Sequence, residues 1–369
     1  MKIAMIGHKR IPSREGGVEV VVESLAVRMA AAGHKVTAYN RRGKHVSGGT
    51  NVKVKEYKGV KIKSVPTFEN GKLNAVVYSV IAAFMALFGR YDVIHFHAEG
   101  PCSMIWLPHL FGIRTVATIH GLDWQRAKWG GFATKFLKFG EKMAARFADE
   151  LIVLSEGTKE YFKETYGRDA LFIPNGVDEG KCIKANIIRE KYGLEKDGYI
   201  LFLARIVPEK GLHYLIEAFK NIDTDKKLVV AGGISHSSEY AEKVRKMADD
   251  ERIIFTGFVE GEELWELFSN CRLYVLPSDV EGMPLTLLEA MNCGAECLVS
   301  DIETTKNVIG DYGYTFKKGD IADLQQKTEE ILNLPKRDKT EQIEYIRQNY
   351  SWDKITERTL NVYKSAKRN

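Results

Sequence analysis

Two carboxylates, Glu281 and Glu289, stand eight residues apart in the stretch SDVEGMPLTLLEAMNCG (278–294). Glu289 is flanked by Leu287, Leu288, Ala290 and Met291, so its surroundings read as buried, and a buried carboxylate needs a partner. Pro284 suits the first position of a helix, which makes Glu281 to Met283 the lead-in and sets Glu289 about two turns along. Two assignments fit this pattern. In the structural one, Glu281 caps the helix and Glu289 pairs with a protein cation; in the functional one, the partner is a ligand.

A second cluster lies in LARIVPEKGLHYLIEAF (203–219). Arg205 falls just past a strand end and Lys210 just before the next helix. Two cations on one strand-to-helix loop can hold a diphosphate, arginine as a planar fork and lysine as a point charge. The alternative is a solvated basic loop. The first loop, GHKRIPSREGGVE (7–19), sets Gly16 and Gly17 directly before a long helix, where the backbone can approach a ligand and free N–H groups attract anions. No GxGxxG or GxxxxGK[ST] occurs, which excludes a dinucleotide fingerprint and a P-loop.

Metal chemistry has weak candidates. Asp223-Thr224-Asp225 has the DxD form but reads as a surface turn between a helix and a strand, so no metal or other cofactor is expected. HFH puts His95 and His97 on one face of a strand. Zinc needs more ligands than that, and the pair reads as a polar strand end lining a cleft and touching an acceptor. Cys293 and Cys297 read as packing residues.

The elements that must position these groups alternate along the chain. Strand-like runs at KIAMIG (2–7), KVTAYN (35–40), DVIHFH (92–97), RTVATIH (114–120), ELIVLS (150–155) and LFIPNG (171–176) are separated by helical patterns. A second series follows: YILFLA (199–204), KLVVAGG (227–233), IIFTGF (253–258), RLYVLPS (272–278) and ECLVSD (296–301). Near-continuous Val/Ile/Leu runs alternating with helices predict parallel sheets covered on both faces. The fold expected is α/β, two Rossmann-like domains facing across a cleft, joined near IPNGVD (173–178). The 369-residue length agrees with two domains.

Composition is that of an ordinary globular protein, 44% apolar and 28% charged. Five scattered cysteines without a CxxC pair point to a reducing, cytoplasmic setting. MKIAMIGHKR runs straight into a strand and does not read as a signal peptide. The apolar stretch 73–89 falls short of a span of about 20 residues and reads as a buried packing helix. Charge is divided: residues 1–175 hold 26 Lys+Arg against 15 Asp+Glu, the remainder 28 against 34. The basic first half suits an anionic partner, and the acidic second half argues against nucleic acid. WQRAKWGGFATKFLKFGEKMAARF (124–147) carries six basic residues and one acid among Trp124, Trp129, Phe132, Phe136 and Phe139. This composition fits contact with the inner membrane leaflet, and equally an amphipathic helix with its aromatics turned inward.

Taken in order, GGVE, RIVPEKG, EGMPLTLLEAM and SDI resemble the large retaining glycosyltransferase family 4, of the two-domain GT-B fold. The EGMPLTLLEAM segment matches that family's E-x7-E signature, and YSWDKITERTLNVY (350–363) resembles its closing helices, which cross back to the first domain. The resemblance implies a domain of residues 1–175 with a crossing helix over 352–369 on the acceptor side, and a donor-binding domain over 176–351. Glu289 would hydrogen-bond the ribose of a nucleoside diphosphate sugar, and Glu281 would lie near its sugar. Gly282, Met283, Pro284, Leu285 and Thr286 would form the binding run, with the N–H groups of Met283, Leu285 and Thr286 around sugar and phosphate. Gly16 and Gly17 would belong to the substrate site, and Arg205 and Lys210 would neutralise the leaving diphosphate. His120, in TIHG, matches the family's active-site histidine; members often carry Asp next, where this chain has Gly121.

The N-terminal loop further resembles rhamnosyltransferases of bacterial surface polysaccharides, which commonly show Phe and Thr where Val18 and Val20 stand here. The activity implied is metal-independent, retaining sugar transfer to a glycan or lipid-diphosphate-linked acceptor, on the cytoplasmic side and in part at the membrane. Two alternatives share the features: a GT-B sugar-nucleotide epimerase, and a silent sugar-nucleotide-binding subunit of a transferase pair.

Overall fold

A computed structural model of the chain describes residues 1–43, 54–67, 74–125, 131–180, 182–233 and 238–365. Trp129 lies outside them. The chain divides into two compact units, Met1–Asn175 with Trp352–Asn369, and Gly176–Ser351.

In the first unit the strands are β1 (Lys2–Ile6), β2 (Lys35–Arg41), β3 (Glu56–Tyr57), β4 (Val60–Val65), β5 (Val93–His97), β6 (Arg114–Ile119), β7 (Glu150–Val153) and β8 (Leu171–Phe172). They form one sheet in the order β3-β4-β2-β1-β5-β6-β7-β8. Only the β3–β4 pairing is antiparallel. Its helices are α1 (Gly17–Ala31), α2 (Asn74–Leu87), α3 (Glu99–Cys102), α4 (Trp106–Leu110), α5 (Phe132–Phe147) and α6 (Glu156–Tyr166). The core joins the sheet residues Ala4, Ile6, Ile94, Phe96 and Ala117 to the small inner faces of α2 and α5, Ala82, Ala83, Ala86 and Ala144.

In the second unit β9 (Tyr199–Leu203), β10 (Lys227–Ala231), β11 (Ile253–Gly257), β12 (Leu273–Leu276), β13 (Cys297–Ser300) and β14 (Tyr314–Phe316) pair in parallel in the order β11-β10-β9-β12-β13-β14. Around them lie α7 (Ile187–Tyr192), α8 (Leu212–Lys220), α9 (Ser238–Met247), α10 (Gly261–Asn270), α11 (Leu285–Asn292), α12 (Glu303–Ile309), α13 (Ile321–Asn333) and α14 (Thr340–Asn349). All of β9 and β12 is buried, as the continuous runs YILFL and LYVL require.

The last helix, α15 (Trp352–Ser365), belongs to the first unit. It packs on α1, with Arg28 Nε donating to Asp353 at 2.9 Å, and Arg114 holds the Tyr363 carbonyl at 2.6 Å.

Three strands escape the sequence reading. β4, VKIKSV, mixes lysines among its apolar positions instead of forming a continuous run, while β3 and β14 are two and three residues long. Pro284 stands at the N-cap with ψ 108°, extended, so the helix starts one residue later than expected. Because α11 is only eight residues long, Glu289 sits in its middle, little more than one turn in.

Each sheet reverses its winding once, at β1/β5 and at β9/β12, and there a glycine permits a backbone approach that a side chain would block. A Cβ on Gly7 (φ +129°) would lie 2.1 Å from the His97 carbonyl oxygen, and one on Gly211 (φ +67°) would meet the Pro277 oxygen. Both positions combine positive φ with backbone contact. Gly211→Ala should therefore lower unfolding stability by about 2–4 kcal/mol, read from the urea midpoint at constant slope. A loss under about 0.5 kcal/mol, the size of a neutral surface change, would contradict this account.

Candidate active site

The loops leaving the carboxyl ends of β9 and β12 bring together the residues singled out in the second unit. Such reversals of strand order are where open α/β sheets receive ligands. Arg205 follows β9 by two residues, half-buried, and its guanidinium makes no ion pair with any described residue. Lys210 ends the same loop. From the β12 loop Glu281 meets it: Lys210 Nζ donates to Glu281 Oε1 at 2.5 Å, the side chains being 15% and 6% exposed. Ser278 Oγ donates to the same oxygen at 2.7 Å and is fully buried, while Ser300 Oγ donates to the Ser278 carbonyl. Glu281 is thus held from two sides and makes no cap for α11. The pair is shielded enough that losing either partner would leave a costly buried charge.

Glu289 lies on α11, 8% exposed, and Met283 at 9% is equally enclosed. Gly282 and Pro284 complete the lead-in, and Leu285 opens the helix. The Thr286 hydroxyl is committed to the fold, 2.8 Å from the Tyr274 hydroxyl, which burial pushes well above its ordinary range. Asp223-Thr224-Asp225 precedes β10, at the amino edge of this sheet, remote from the loops just described. Among the described residues no group of three His, Cys, Asp or Glu is arranged to hold a metal ion.

In the first unit the matching loops follow β1 and β5. Gly16 is the N-cap of α1 and Gly17 its first residue. The loop before them is knit by two side chains. Glu19 Oε1 accepts from the Lys9 N–H at 2.8 Å, and Asn40 Oδ1 lies 2.8 Å from His8 Nε2 and accepts from the Ile11 N–H. The Gly7 N–H donates to the Tyr78 hydroxyl at 2.9 Å, and that hydroxyl donates to the Tyr39 carbonyl.

His95 and His97 depart from their expected place at a cleft surface, for both are fully buried. His95 Nδ1 lies 2.7 Å from the Tyr363 hydroxyl on α15 and its Nε2 lies 2.7 Å from Thr118 Oγ1. The reason is register: the alternate side chains of β5 point into a helix-covered face, and α15 supplies the cover. The His97 ring lies 4.0 Å from that of His95, tilted by 35°, and its Nδ1 is 3.0 Å from His120 Nε2. His120, half-buried just after β6, is therefore oriented by His97, a contact that spacing did not reveal.

On α5 the inward reading fails for two aromatics, since Phe132 and Phe139 are exposed. Trp124 instead donates to Glu141 Oε2 at 2.9 Å. Cys293 and Cys297 are buried free thiols.

Comparison with known proteins agrees with this layout. Residues 184–349 match the family described as Glycosyl transferases group 1, and residues 15–181 match Glycosyltransferase Family 4. The uncharacterized glycosyltransferase YqgM of Bacillus subtilis is 30% identical over 69% of this chain and 71% of its own. The uncharacterized glycosyltransferase MJ1607 of Methanocaldococcus jannaschii is 26% identical over 99% and 98%. In fold, Anabaena Alr3699/HepE, solved in complex with UDP-glucose, superposes with a TM-score of 0.80 at 17% identity, covering 99% of this chain and 100% of that one. The chain belongs to the group 1 glycosyltransferases, enzymes built of two Rossmann-like parallel-sheet domains.

Burial sets the protonation of the first-unit site. It lowers His8 to about 4 and His95 to about 3, and holds His97 well below its usual 6.5, with neighbouring imidazoles adding to the effect on the last two. All three are neutral in the fold. Below pH 6.5 the unfolded chain takes up protons that the folded chain refuses, so stability falls on acidification, by up to about 1.4 kcal/mol per pH unit for each histidine. Urea unfolding from pH 7.5 to 5 should show this decline. His95→Gln should be less stable at pH 7.5 yet have a shallower slope; an unchanged slope would contradict neutral burial.

Proposed function

We propose that the protein transfers a sugar from a nucleoside diphosphate sugar to a glycan or lipid-diphosphate-linked acceptor, with retention at the anomeric carbon and without a metal ion. The observation that carries this reading is the grouping of Arg205, Lys210 and Glu281 at the strand reversal of the second unit. The reaction breaks the bond between the anomeric carbon and the β-phosphate oxygen, and the electron pair stays on the diphosphate. An acceptor hydroxyl bonds to the same face of the carbon, and its proton passes to the departing diphosphate. Negative charge therefore grows on phosphate oxygen during the step. Arg205 and Lys210 stabilise that charge, with the N–H groups of Met283, Leu285 and Thr286 at the start of α11.

In this reading the second unit, 176–351, binds the donor and the first, 1–175 with 352–369, serves the acceptor. Glu281, fixed by Ser278 and Lys210, contacts the donor sugar, and Glu289 takes the ribose hydroxyls. His120 is assigned to the reacting sugar, and Gly16 and Gly17 to the substrate loop. The UDP-glucose bound by HepE supports a nucleotide sugar as donor, with UDP the first nucleotide to try. Metal independence rests on the position of Asp223 and Asp225 at the amino edge of the sheet. Resemblance of the first loop to rhamnosyltransferases supports a role in surface polysaccharide synthesis on the cytoplasmic side.

A thermal-shift panel with UDP, GDP, ADP and dTDP, each with and without Mg²⁺, tests the donor site. One nucleotide at a hundredfold excess over its Kd should stabilise by about 2.7 kcal/mol, indifferent to the metal. No shift with any nucleotide at millimolar levels would overturn the assignment. Arg205→Ala should then lower kcat about 100-fold with a much smaller change in donor KM, because its interaction strengthens as charge develops. Equal losses in binding and turnover would argue for ground-state binding only.

A further inference from the structure

The outer side of one helical layer in the first unit carries an apolar ridge bordered by cations. The ridge begins on α2, which has no charged residue. Its inner face, Tyr78, Ala82, Ala83 and Ala86, is fully buried, yet the opposite side presents Val80, Phe84 and, just past the helix end, Phe88, four residues apart each time. Phe88 is 75% exposed, its ring 5.7 Å from that of Phe84. Helix α4 packs against α2 and continues the ridge with Leu110 and Phe111, 67% and 69% exposed. Helix α5 packs against α4 in turn and adds Phe132 and Phe139.

Charge gives this surface its direction. Lys135, Lys138, Lys142 and Arg146 follow one another by three, four and four residues, so they lie along one side of α5, and all are exposed. None of them pairs with a carboxylate among the described residues. Lys138 instead sits 4.2 Å over the Trp124 ring, and Arg146 5.3 Å over Phe147. Across α2, α4 and α5 the one carboxylate is Glu141, which is fully buried and bonded to Trp124, Tyr161 and Tyr166. A contiguous apolar patch of this kind marks an interaction site, and exposed phenylalanines beside unpaired cations match the acyl boundary and headgroups of an anionic bilayer. A second copy of the chain fits poorly: a self-complementary contact would set the cationic stripe against itself with no acid to answer it. No helix among the described residues is long and apolar enough to cross a membrane.

We propose that the face formed by α2, α4 and α5 docks on an anionic lipid surface, with Phe84, Phe88 and Phe111 entering the acyl boundary and Lys135, Lys142 and Arg146 meeting phosphate headgroups. This inference stands apart from the donor-site reading, since it uses none of its residues. The test is co-sedimentation of the full chain with vesicles of phosphatidylcholine alone and of equimolar phosphatidylcholine and phosphatidylglycerol. The native chain should partition onto the anionic vesicles and be released by salt. Lys135→Glu with Lys142→Glu should lower that partitioning at least about tenfold, towards the level on neutral vesicles. Phe84→Ser with Phe88→Ser should lower it by a similar factor on both. The nucleotide thermal shift should survive in every variant, and if the phenylalanine pair fails to fold the exposed lysine pair carries the test. Absence of vesicle binding, or partitioning unchanged by the lysine variant, would overturn the proposal. So would a concentration-dependent dimer, seen by light scattering, that the phenylalanine variant dissolves without any effect of lipid.

Discussion

In each sheet the chain winds outward to one side, returns to the middle and winds out to the other. At the return, neighbouring strands send their onward chain to opposite sides, and the space above their carboxyl ends is left to loops. Several of the groups with chemistry to offer are placed by this one constraint. It sets Arg205 and Lys210, leaving β9, next to Ser278 and Glu281, leaving β12. It also sets the loop after β1 against His97 at the end of β5. The glycines at both returns follow from it, because adjacent strands whose chains diverge above them must first pass backbone to backbone.

The two returns are equipped differently. The second unit gathers formal charge: a lysine and a glutamate locked together, with a half-buried arginine on the same loop as the lysine. The set is held in place, since Ser278 bonds the carboxylate and Ser300 holds the Ser278 carbonyl. The first unit gathers imidazoles that burial keeps neutral, connected from Tyr363 through His95 and His97 to His120. A neutral relay of His95 and His97 can orient the side chain of His120 without adding charge around it. The basic excess of residues 1–175 includes the outer row along α5.

The sequence was most legible where structure is local. Continuous runs such as YILFL and LYVL announced buried parallel strands, and a strand end followed by Arg205 and Lys210 announced a loop at the carboxyl edge. What stayed hidden is long-range. The Lys210–Glu281 pair joins residues 71 apart, and the His95–Tyr363 bond joins residues 268 apart. No periodicity encodes either, which is why HFH read as a wet strand end while its histidines are sealed in by a helix from the far end of the chain. Ser278 gave no signal at all, since its importance lies only in the atom it touches. Boundaries failed in smaller ways, as at Pro284, whose fixed φ suits both the N-cap and the first turn.

The route of the chain has a consequence for its synthesis. The second unit is one uninterrupted segment, while the first is written in two pieces with the whole of the other between them. A ribosome emits Met1–Asn175 first, but the hydrogen bond to His95 and the support of the Arg114 guanidinium both wait for Tyr363. Of the two units, the one begun earlier is therefore finished later, and its buried histidines have no cover until α15 has been made. A nascent chain stalled anywhere short of α15 would carry that opening in its first domain, exposed to solvent and to whatever binds unfinished proteins.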